Sequence, residues 1–108
     1  MKIEIDNLRI QEIIHNIAED FRFSSEHERY AQLFYAMDIE KYIDKKMHTD
    51  AIEYIQVSKK ELKESIDWQE AFQKENPQVD KAKMLNTMKI IAQEYQELET
   101  YLVMLNIK

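Results

Sequence analysis

Glu12 and His15 stand three residues apart, a spacing that puts a carboxylate and an imidazole on one side of a helix. In carboxylate-bridged di-metal bundles such a pair supplies two inward ligands. A second pair and two further inward Glu residues complete the set. Here Ser24 stands three before His27 and Lys45 three before His48, so the Glu-x-x-His pattern occurs once. Asp44 and His48 are one helical turn apart, but Asp44 falls on the polar side of its segment. A metal-carboxylate bundle centred on Glu12 and His15 is one reading. A boundary histidine with its ring tip in solvent is the other, and it needs no cofactor.

Arg22 and His27 form a second pattern, with four residues between them. It loosely resembles the Arg-x-His motif, with four to six intervening residues, of HEPN-type ribonucleases, which are also small helical bundles. The resemblance covers six residues. It implies that Arg22 contacts phosphate and that His27 takes part in proton transfer during RNA cleavage. In that family the residue after Arg is polar, whereas Phe23 stands there; Arg9 and His15 satisfy the same loose spacing. The alternative is an ion-pair or capping role for both residues.

Other chemistries lack their residues. With no Cys there is no thiol nucleophile, disulfide framework or Cys-based zinc site. With no Gly there is no glycine-rich phosphate loop and no nucleophile elbow. The net charge of −6 argues against direct nucleic-acid binding, which needs clustered Lys and Arg. No run of apolar residues is long enough for a membrane helix, and the charged start MKIEIDNLRI is unlike a signal peptide. A cytoplasmic protein is expected.

Absent glycine and a single proline also argue for helices joined by short polar connections. The expectation is a single all-α domain over residues 1–108, an antiparallel bundle of about four helices with a long C-terminal helix. Residues 1–5 alternate like a strand but are too few to assign. Asp6 is a plausible cap for a first helix to about Phe23, with Ile10, Ile13, Ile14, Ile17, Ala18 and Phe21 on one side. Ser25 and Glu28 match a capping box for a second helix, from about Glu26 to Met47. Its apolar face switches near Asp38, through either a break or a straight helix touching different neighbours. With no Pro or Gly there, the straight helix is preferred. Thr49-Asp50 caps a third helix through about Glu75, with a possible restart after Val57.

The fourth helix is expected to open at Asn76-Pro77 and to span roughly 45 Å. Met84, Met88, Ile91, Tyr95, Leu98, Leu102 and Leu105 recur at alternating steps of four and three, a seam about three heptads long. Tyr95 in that seam fits an intrachain interface better than a parallel two-stranded zipper. The end, YLVMLNIK, is apolar almost all round and is expected to be surrounded.

Three helices carry more apolar residues than one packing face needs. The surplus is Trp68 and Phe72 on the third helix, with Val79, Ile90, Tyr101, Met104 and Ile107 along the fourth and its end. These residues either widen the core or form an interface with another protein or a second copy. The expected function is therefore protein–protein contact without catalysis, as a regulator, adaptor, immunity protein or inhibitor, in oligomeric form.

Overall fold

The alternation at the N-terminus is realised as a strand. In the computed structural model, which describes residues 2–19 and 28–107, β1 (Lys2–Glu4) pairs antiparallel with β2 (Tyr42–Asp44), with Ile3 opposite Ile43. The Ile5 N–H donates to the Lys41 carbonyl at 2.8 Å, and Ile5 and Ile43 are both fully buried. Four helices supply the rest: α1 (Leu8–Glu19), α2 (Glu28–Glu40), α3 (Lys45–Glu75) and α4 (Ala82–Met104). The fold is an all-α helical bundle to which a two-stranded ribbon is added.

Helix ends differ from the sequence expectations in several places, each for a local reason. Asn7 rather than Asp6 caps α1, its Oδ1 accepting from the Ile10 N–H at 3.1 Å. The preferred straight second helix is wrong: α2 stops at Glu40. Lys41 follows with φ of 59°, the left-handed region, which costs a non-glycine residue roughly 1–2 kcal/mol. Its N–H still donates to the Met37 carbonyl at 3.0 Å, and its ammonium reaches the Asp38 carbonyl, so the helix end is satisfied. In a chain without glycine, a lysine takes the left-handed position. That break explains the switch of apolar face, because Ile43 belongs to a strand while Ile39 is exposed.

Asp44 then caps α3, accepting from the Met47 N–H at 2.9 Å. The helix runs unbroken past Ser58 for 31 residues. Asn76-Pro77 does not open the last helix. Asn76 instead closes α3, its backbone N–H and its Nδ2 both donating to the Phe72 carbonyl at 2.9 and 3.0 Å. A helix end has carbonyls in need of donors, and the Asn amide meets that need. Gln73 fixes the connection, accepting from the Lys81 N–H at 2.6 Å and donating to the Asn76 carbonyl at 3.2 Å. The last helix is thus 23 residues, about 35 Å rather than 45 Å.

The core gathers at one end of the molecule. Ile10, Ile13, Ile14, Ile17 and Ala18 of α1 are all buried, as their stripe requires. Tyr54 sits at the centre, its ring 5.4 Å from Tyr30, 5.0 Å from Phe34 and 6.2 Å from Tyr95. In α3 burial is confined to Ala51, Tyr54 and Ile55, and in α4 to Glu94, Tyr95, Leu98 and Leu102. Residues 56–75 and 82–93 contain no buried residue at all. They form a two-helix arm projecting from the body, and the molecule measures 53 × 27 × 21 Å.

The heptad seam is therefore graded. Leu98 and Leu102 are fully buried, Met88 and Ile91 are half-buried, and Met84 is exposed. Nor is the C-terminal end surrounded, since Val103 and Met104 are 63% and 78% exposed.

Candidate functional site

The arm begins beyond the described contacts of α1 and α2 with α3 and α4. Tyr54 meets Tyr30 and Phe34 of α2, so that side of α3 is covered there. Phe72 lies five helical turns further along the same side, and Trp68 one turn before it. On α4, Glu94 accepts from Asn16 of α1 at 2.8 Å, and Ile90 lies one turn beyond, away from the body. Trp68, Phe72 and Ile90 thus continue along the arm the face that α1 and α2 cover on the body. Trp68 is 62% and Ile90 55% exposed.

Trp68 and Phe72 are ordered against each other. Their rings stack at 5.5 Å with 17° between planes, and the Lys81 ammonium lies 5.2 Å from the Phe72 centroid. Phe72 is held between an indole and a cation, and the outer indole face is left to solvent. Val79 sits in the connection between the helices, partly exposed near this pair in sequence.

The sequence-predicted interface residues therefore separate. Trp68, Phe72, Val79 and Ile90 belong to the arm. Tyr101 and Ile107 pack, partly buried, against the body core, and Met104 is exposed at the far end of α4. Burial raises the Tyr101 pKa above its ordinary value, helped by the nearby Asp6 carboxylate.

Polar contacts tie the two helices of the arm and the body together. Lys59 reaches Gln96 at 2.6 Å and Glu99 at 2.9 Å, and Lys89 reaches Glu70 at 3.4 Å. Arg9 of α1 grips Glu97 of α4 through two bonds, at 3.2 and 3.0 Å. Those bonds hold the Glu97 carboxyl below its ordinary range. Within the arm, the Gln69 side-chain oxygen is buried without a hydrogen-bond partner among the described residues. A desolvated acceptor costs about 1–3 kcal/mol. Gln69→Leu is expected to raise the thermal midpoint by about 5 °C, read by circular dichroism. A lowered midpoint would mean that this amide stabilises the arm.

The candidate metal ligands do not converge. Glu12 turns to Arg9 at 2.7 Å, while His15 lies 3.0 Å from Asp38 and 4.0 Å from Glu19. The His48 ring bonds the Leu102 carbonyl, joining the start of α3 to the end of α4. Among the described residues no three His, Asp or Glu side chains are grouped to hold a metal ion. Arg22 and His27 lie outside the described residues. A cleft of ≈ 400 Å³ runs between α1 and α4, but Arg9 on its wall is committed to Glu97 and Glu12.

No helix among the described residues is long and apolar enough to cross a membrane. Compared with protein-family models, curated proteins and solved structures, the chain matches none. The exposed arm face is legible in sequence only as surplus apolar residues; its extent depends on contacts with α1 and α2, which among the described residues reach Glu94 and Tyr54.

Proposed function

We propose that this protein is a cytoplasmic helical bundle that works through protein–protein contact rather than catalysis. Its working surface is the arm, and it acts as an oligomer, in a role such as regulator, adaptor, immunity protein or inhibitor. One observation carries the reading: the stacked Trp68–Phe72 pair projects from an arm that holds no buried residue. Large aromatic side chains are enriched where binding energy concentrates, and an indole left in water is a favourable anchor for a partner. The arm is stiffened by a continuous 31-residue helix and by Lys89–Glu70, so it presents this face without a large ordering penalty on binding.

A photo-crosslinking residue placed in cells at position 68 or 90 tests the reading. The same residue at Leu8 or Ile39, exposed on the body, serves as control. Protein adducts are expected from the arm positions and not from the body positions. Adducts from Leu8 or Ile39 alone would put the working surface elsewhere.

A further inference from the structure

From the shape and charge of the arm we infer that its partner is a second copy of this chain, laid antiparallel along the same face. The inference rests on the arm being the working surface. On the body, α1 and α2 form a layer over one face of the α3–α4 hairpin and complete a four-helix bundle. On the arm, no helix among the described residues covers that face. Another arm supplies two helices of matching length and restores the same layer.

Size fits a weak, reversible pairing. The uncovered parts of α3, residues 56–75, and of α4, residues 82–93, are about 30 and 18 Å long, and each helix is about 10 Å wide. That is about 480 Å² per copy, or about 960 Å² in total, the range of transient interfaces.

Charge selects both the partner and its direction. Residues 56–93 carry seven Lys and six Asp or Glu, a net +1, so the rest of the chain holds −7 of the overall −6. Two arms can therefore approach without net repulsion. Two bodies side by side would each bring −7, which disfavours a parallel pairing. Antiparallel overlap separates the bodies by the length of an arm, well beyond the roughly 8 Å over which salt leaves charges in contact. It also sets each arm tip against the other copy's acidic body. The tip, residues 74–89, carries Lys74, Lys81, Lys83 and Lys89 against Glu75 and Asp80.

Sedimentation equilibrium of the purified chain, with single-cysteine cross-linking, tests the inference. The mass is expected to rise with concentration from 13.1 kDa towards twice that value. Trp68→Glu should weaken the dimer by roughly 30-fold or more with an unchanged helical spectrum, whereas Ile39→Glu on the body should leave it intact. The natural chain has no cysteine, so Ser65→Cys and Asp80→Cys each report one position. Ser65 lies near the middle of the arm, close to where an antiparallel two-fold axis falls, and Asp80 lies at the tip. A short bismaleimide should link Ser65→Cys chains to each other and leave Asp80→Cys chains unlinked. Tip-to-tip links would overturn the antiparallel arrangement. A monomer at every concentration would overturn the second copy altogether; arm adducts to a different protein in cells would then show that the contact surface survives without it.

Discussion

Tyr54→Ala is expected to lower stability by about 3–5 kcal/mol, among the largest effects of any single substitution in this chain. The side chain is 1% exposed and stands where α2, α3 and α4 meet, in ring contact with Tyr30, Phe34 and Tyr95. Its hydroxyl lies 3.4 Å from that of Tyr95. Truncation removes the aromatic ring and leaves a cavity that rigid helices close only in part. A domain of this size has about 5–15 kcal/mol in total, so about a fifth or more of the stability is at stake. The thermal midpoint should fall by roughly 15–30 °C. Tyr54→Phe keeps the ring and loses only the hydroxyl, which costs about 1 kcal/mol. Thermal unfolding of the two variants separates packing from hydrogen bonding; equal midpoints would place the weight on the hydroxyl instead.

The second large effect concerns unequal stability along one helix. In dilute solution, backbone amides of the arm should exchange with solvent on the order of a hundredfold faster than those around Tyr54 and Leu98. Both segments of α3 are helical and continuous, so secondary structure alone predicts no difference. The difference comes from burial. Around Ala51, Tyr54 and Ile55 an opening must expose core, whereas residues 56–75 contribute no buried side chain. Helices gain most of their stability from packing an apolar face, and the arm packs only a half-buried seam of Leu62, Ile66, Met88 and Ile91. Hydrogen exchange of the monomer measures this directly, and uniform protection along α3 would contradict it.

Much of the architecture could be read from side-chain period. The α1 stripe from Ile10 to Ala18 is buried throughout, and the α4 seam is buried from Tyr95 to Leu102. Capping was less legible. Asn76 suits the start of a helix as well as its end, and only the Phe72 carbonyl beside it decides which need it meets. Lys41 gave no signal of a turn, because its left-handed backbone is enforced by the strand pairing that follows. The surplus apolar residues were visible, but grouping them needed the third dimension. Tyr101 and Ile107 belong to the body, and Trp68, Phe72 and Ile90 to the arm. A helical wheel places residues around an axis and says nothing of where a neighbouring helix ends.

The claim that the arm is the working surface meets its most direct test in hydrogen exchange read at two protein concentrations. Protection is expected to rise with concentration over residues 60–74 and 83–93 while the body around Leu8, Ile39 and Met104 stays unchanged. Protection that rises instead around Leu8, Ile39 or Met104, with the arm unaltered, would contradict it.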